Sequence, residues 1–184
     1  MSPIRKWNCD EDFGVGAETI QGNNLRSFLD LCFENAVYIS LQHARWPDCI
    51  HRELERSLEP FLIRIVETKK WFGYDFTGAP LGEEYTMKVN LYHADDAVKQ
   101  ILLRCMDDIF MEVRRNGRLW PTTQTLEDLC IFSETGILMG TVSHEHILAV
   151  QLEDQDVTPF GNWYEGAWCD FSGMPIDMGV FTDE

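Results

Sequence analysis

The sequence predicts an α+β domain: helices packed on one face of a small antiparallel sheet. Three observations lead there. Apolar residues from Leu25 onward recur at helical spacing, "EYTMKVNLYH" alternates as a strand does, and residues 126–152 read as a meander of three short strands. Helices gathered early and strands late favour segregated layers over a parallel βαβ sheet.

Residues 1–23 are polar, carry Gly14, Gly16 and Gly22 and show no period, so an irregular segment is expected. Leu25, Phe28, Leu29, Cys32, Ala36 and Ile39 then trace one helical stripe, and Leu31, Phe33, Val37 and Leu41 fill the other sides. Such a helix is buried over most of its circumference. Asn24 stands where a capping residue is favoured. Trp46 precedes Pro47, whose ring disfavours helical backbone at the residue before it, so the helix ends there. Asp48 is placed to cap a second helix with Ile50, Leu54 and Leu58 inward. Pro60 breaks that helix, because its ring meets the carbonyl of Arg56. A third helical piece turns Phe61, Leu62, Ile65 and Val66 inward and ends at Lys69 and Lys70, where cations suit the helix dipole. "WFGYDFTGAPLG" reads as an aromatic loop.

In the next stretch Tyr85, Met87, Val89 and Leu91 share one face and Thr86, Lys88, Asn90 and Tyr92 the other, the pattern of a half-buried strand. Asp95 and Asp96 open, and Arg114 and Arg115 close, a helix with the stripe Val98, Ile101, Leu102, Cys105, Ile109 and Val113; Gly117 is its stop. "LEDLCIF", "ILMGTV" and "HILAVQL" follow as strands, with "SETG" as a hairpin turn and Gly140 as a bulge marker. Residues 24–153 therefore form one α+β domain. Residues 154–184 form an acidic aromatic segment packed on it, because such a density of aromatics does not suit a disordered chain.

The 184 residues suffice for one domain, and 45% hydrophobic content supplies a core. No apolar stretch of signal-peptide or membrane-span length occurs, which leads to the expectation of a cytoplasmic protein. Six cysteines lie at least 17 positions apart without a C-x-x-C pair, and Cys32, Cys105 and Cys130 sit among apolar residues, so reduced thiols are expected.

Charge is the strongest signal. The net charge is −16. Residues 1–118 hold all 15 Lys and Arg beside 19 acids, whereas residues 119–184 hold 12 acids and no Lys or Arg. A cation-free segment repels nucleic-acid phosphates and anionic lipid and attracts basic proteins.

Catalytic motifs are sparse. "GVGAET" lacks the ending of a phosphate loop, and no G-x-S-x-G is present. His144 and His146, two apart, would face one side of a strand and offer two ligands to a metal, although helical zinc motifs space their histidines four apart. Asp107 and Asp108 read as a solvated helix face. The pattern with most content is acid beside aromatic: Glu153, Asp154, Asp156, Trp163, Tyr164, Glu165, Trp168 and Asp170. Aromatics anchor interfaces and carboxylates steer a basic partner.

These features predict a small acidic binding protein that occupies a basic protein partner. In bulk properties it is similar to antitoxin-like immunity proteins that block a toxin or nuclease. No cofactor is expected, and neither direct nucleic-acid nor membrane contact. The alternatives are a nucleic-acid mimic and a metal-dependent enzyme built on His144 and His146.

Overall fold

The computed structural model describes residues 5–7, 20–45, 51–78, 86–115, 118–120, 124–161, 163–165 and 176–182; for residues 5–7, 113–115, 118–120, 154 and 163–165 only the backbone is considered. The architecture is α+β, as the sequence predicts, but the sheet is larger than expected. Eight strands pair in the order β12-β1-β11-β10-β9-β2-β6-β3. They are β1 (Arg5–Trp7), β2 (Tyr38–His43), β3 (Leu62–Thr68), β6 (Met87–His93), β9 (Leu126–Ser133), β10 (Gly136–Val142), β11 (Ile147–Val150) and β12 (Trp163–Glu165), and each pairing is antiparallel. Two short ladders stand outside it: β4 (Lys70–Trp71) with β5 (Tyr74–Asp75), and β7 (Val113–Arg115) with β8 (Arg118–Trp120). The helices are α1 (Gly22–Phe33), α2 (Glu53–Leu58), α3 (Asp96–Cys105) and the single turn α4 (Asp154–Val157).

The sheet is covered on both faces. On one, Phe28, Leu29 and Cys32 of α1, Leu54 and Leu58 of α2, and Val98 and Leu102 of α3 pack with Ile39, Leu41, Tyr92, Ile131, Met139, Leu148 and Val150. On the other, Trp71 and Phe72 of the β4–β5 hairpin and Phe181 of the 3-10 turn Met178–Phe181 cover Val89, Leu91, Cys130, Phe132, Val142 and Ala149. That double cover is why β6 is not half-buried: Asn90 and Tyr92 are as enclosed as Val89 and Leu91. Cys32 and Cys130 are buried free thiols, Cys105 is half-buried and free, and burial pushes all three thiols up.

Three expected helices are corrected. The first ends at Phe33, and Ile39 and Leu41 lie in β2, Ile39 in register with Ile131 and Tyr92 and Leu41 with Asn90. Val37 and Ile39 are β-branched and favour extended backbone, and alternate apolar positions fit a strand as well as a helix. Its N-terminus is at Gln21, with Asn24 one turn inside, so Asn24 is not the cap. The piece expected from Phe61 to Val66 is strand β3: Pro60 closes α2 in a 3-10 turn, and the run Ile63, Ile65, Val66 is β-branched. The long helix expected from Asp95 to Arg115 stops at Cys105. Asp95 does cap it, accepting from Val98 N at 2.9 Å. Beyond it, the Asp108 carboxylate accepts from Phe110 N and Glu112 N, and Met111 takes a left-handed φ of 59°, so the chain turns away from helix. Arg114 and Arg115 belong to β7.

Smaller differences have equally local causes. Part of the aromatic loop is the β4–β5 hairpin, turning at Gly73 with φ 81°. The register shift in β10 falls between Ile137 and Met139 rather than at Gly140. Gly140 serves another purpose: a Cβ there would stand 2.6 Å from the Phe72 ring. Within the segment expected to be irregular, Arg5–Trp7 forms β1, inserted between β11 and β12.

Candidate functional site

The turn joining β10 to β11 carries the two candidate histidines. Neither stands on a strand. His144 lies in the 3-10 turn Ser143–Glu145, and His146 follows in a left-handed conformation, φ 50° and ψ 41°. The two imidazoles join different groups.

His144 is exposed and stacks on Tyr74, with ring centroids 6.2 Å apart. The Tyr74 hydroxyl donates to Asp128 Oδ2 at 2.6 Å, and Ser143 N donates to Asp128 Oδ1 at 2.7 Å. Asp128 occupies the β9 bulge opposite β2, in a left-handed φ of 57°. Aspartate tolerates that conformation better than most residues. Its carboxylate fastens the β4–β5 hairpin to the β10–β11 turn. Burial pushes the Asp128 carboxyl up, and burial beside Asp128 pushes the Tyr74 phenol up.

His146 packs edge-on against Phe110, centroids 5.2 Å apart, and its Nε2 lies 2.8 Å from Glu112 Oε1. The hydrogen bond to Glu112 pushes the imidazole up against the opposing effect of burial. Glu112 Oε2 is buried with no hydrogen-bond partner among the described residues. Asp108 is 2% exposed, and burial together with the Glu112 charge pushes its carboxyl up to about 6. Asp108 is therefore an interior acid, not the solvated helix face expected of it.

The two histidines thus do not share one strand face. His144 keeps company with Tyr74, and His146 with Glu112. Among the described residues, no group of three or more His, Cys, Asp or Glu could hold a metal ion.

The acidic aromatic candidates divide. Glu153 is exposed and precedes the short turn α4 that Asp154 opens, and Asp156, half-buried, lies within it. Trp163, Tyr164 and Glu165 make up the edge strand β12. Trp168 and Asp170 lie outside the described residues. The aromatic anchors that can be followed are Phe160, edge-on to Phe28 at 5.2 Å, and Phe181, stacked on Tyr38 at 4.5 Å. Glu134, Glu145 and Asp177 are exposed like Glu153.

Two features qualify the cation-free reading. Glu127 and Asp128 are 4% and 3% exposed, so two acids of the C-terminal third lie inside the protein. β1 brings two cations into that half of the sheet, with Arg5 in register opposite Glu165 and Lys6 opposite Tyr164. A charge tally by segment could not show this, because the pairing is between the two ends of the chain.

Tyr74, Asp108, Glu112 and Asp128 were not legible as site residues. The one available signal was Asp108 directly before "IFM", an acid able to hold its own backbone in a turn ahead of an apolar run. In comparisons with family models, curated proteins and solved structures, none matched this chain.

Proposed function

We propose that the protein is a small acidic binding protein whose rim of carboxylates around β9, β10 and β11 docks a basic protein partner. In its specific form the reading is an antitoxin-like immunity protein that occludes the active site of a basic toxin or nuclease. One observation carries it: residues 119–184 contribute the exposed acids Glu134, Glu145, Glu153 and Asp177 and not one Lys or Arg. A surface rich in one sign of charge raises the encounter rate with an oppositely charged surface. Net charge −16 extends the same field over the molecule. That β1 introduces Arg5 and Lys6 narrows the proposed surface to the strand ends and turns carrying Glu134, Glu145, Glu153 and Asp156.

The test is low-salt capture with the full chain, followed by binding measurements on each purified partner. The reading expects a basic protein whose association rate falls as salt rises. It also expects the rate to fall when Glu153→Gln and Asp156→Asn are combined. A captured partner that binds independently of salt and of both substitutions would contradict it.

A further inference from the structure

A groove on the opposite half of the molecule has the makings of a small-ligand site. It lies between α2 and the β6–β3 edge, has a volume of about 220 Å³, and is lined by Arg52, Glu55, Arg56, Glu59, Leu62, Ile65, Asn90 and Tyr92. The first four fall on one helical face at i, i+3, i+4 and i+7, opposite the buried stripe of Leu54 and Leu58. The floor is polar and the outer wall is apolar.

The floor is a hydrogen-bonded chain with a free end. Asn90 Nδ2 donates to the Tyr92 hydroxyl oxygen at 2.8 Å, which leaves Asn90 Oδ1 facing His43 Nε2 at 2.7 Å. An amide oxygen only accepts, so His43 carries its proton on Nε2 in this arrangement. Asn90 is 2% exposed and Tyr92 1%, so both are held firmly. The Tyr92 hydroxyl accepts from Asn90 and has no acceptor for its own proton among the described residues. Burial pushes this phenol up to about 12, so that proton is kept at neutral pH. Tyr92 lines the groove, where an acceptor for that proton can be supplied.

The charged wall is unevenly committed. Arg52 forms a fork with Glu55, Nε to Oε2 at 2.9 Å and Nη2 to Oε1 at 3.0 Å, and Thr125 Oγ1 donates to the same Glu55 carboxylate at 2.8 Å. Glu55 is thereby neutralised, and its carboxyl is held low, first of all by Arg52. Arg56 and Glu59 are exposed, and neither makes an ion pair among the described residues. Ile65, the one exposed large hydrophobic among the described residues at 51%, stands on the same groove beside Leu62.

We propose that this groove binds a small organic carboxylate with an apolar body, the carboxylate taken by the Arg56 guanidinium and the Tyr92 hydroxyl, and the body laid on Ile65 and Leu62. The apolar wall favours such a ligand over inorganic phosphate. The site is independent of the acidic rim, so its test does not depend on the proposed partner.

The probe is 4-methylpentanoate, titrated into the full chain carrying methyl-labelled isoleucine and ring-labelled histidine and observed by NMR. The expected result is a saturable shift of the Ile65 methyl and of the His43 ring. Arg56→Gln is expected to weaken binding by about tenfold or more, the worth of a charge-assisted hydrogen bond. Tyr92→Phe is expected to weaken it several-fold. Arg56 is exposed, so its substitution tests the site without disturbing the core. The proposal is overturned by the absence of a saturable Ile65 shift or by unchanged affinity in Arg56→Gln. It is equally overturned if 4-methylpentylammonium or inorganic phosphate binds as tightly.

Discussion

The two halves of the sheet are held by different forces. The half built from β2, β6 and β3 with its helices carries ion pairs on its surface, among them Lys99 with Asp30 at 2.7 Å, Arg52 with Glu55 at 2.9 Å and Lys88 with Glu67 at 3.6 Å. The half built from β9, β10 and β11 supplies acids without Lys or Arg and shares with β2 and β6 a cover of aromatic rings, Phe72 from the hairpin and Phe181 from the C-terminal turn. Paired surface charge contributes little to stability and projects little field. A surplus of one sign of charge projects outward.

The largest way to break this comparison is Phe181→Ala. Its ring stacks on Tyr38 and lies 5.0 Å from Phe132, and removing it is expected to cost roughly 3–4 kcal/mol in denaturant unfolding. A cost near zero would mean the acidic half does not rest on its aromatic cover. Gly140→Ala comes next. The added methyl meets the buried Phe72 ring, and a loss of about 1–3 kcal/mol is expected from overpacking. Combining it with Phe72→Leu should return part of that loss.

The third test is pH. Asp108 has its carboxyl raised from 3.8 to about 6 in the folded protein. The folded state therefore holds a proton that the unfolded state has released. The stability this group contributes is full below about pH 4 and is lost as pH rises through about 6. Asp108→Asn keeps an oxygen for Phe110 N and Glu112 N while removing the charge. It is expected to flatten the stability profile between pH 4 and 6 and to gain on the order of 2 kcal/mol at pH 7. An unchanged slope would place the acid's charge in water. His146 follows the same sign at higher pH: raised above 6.5 by Glu112, it contributes stability that is present below that value and lost as pH rises through its folded pKa. The smallest effect belongs to the paired half. Lys88→Gln removes an exposed pair and should change stability by less than about 1 kcal/mol.

Much of this architecture was legible in the residues. The alternation in Met87–His93, the meander from Leu126 to Val150 and the Asp95 cap follow from local pattern and local hydrogen bonds. Ile39, Leu41, Ile65 and Val66 were misplaced because apolar residues spaced by two and by four overlap in short runs, and β-branching decided between them. β1 was illegible for another reason: three residues gain strand structure only by pairing with β11 and β12, far along the chain. The polar groups around His144 and His146 were hidden likewise, since Tyr74 lies 70 residues from His144, and Glu112 34 from His146. The groove left two traces, the charged stripe from Arg52 to Glu59 and the polar pair Asn90 and Tyr92, which no short motif joins.

The central claim, that the acidic half is a docking surface for a basic protein, is tested most directly by the association rate of a captured basic partner. It would be measured across a salt series for the wild type and for Glu153→Gln combined with Asp156→Asn. An acidic docking surface gives a rate that falls steeply with salt, and a double variant that is slower at low salt and converges on the wild type at high salt. Superimposable salt profiles for the two proteins would contradict it.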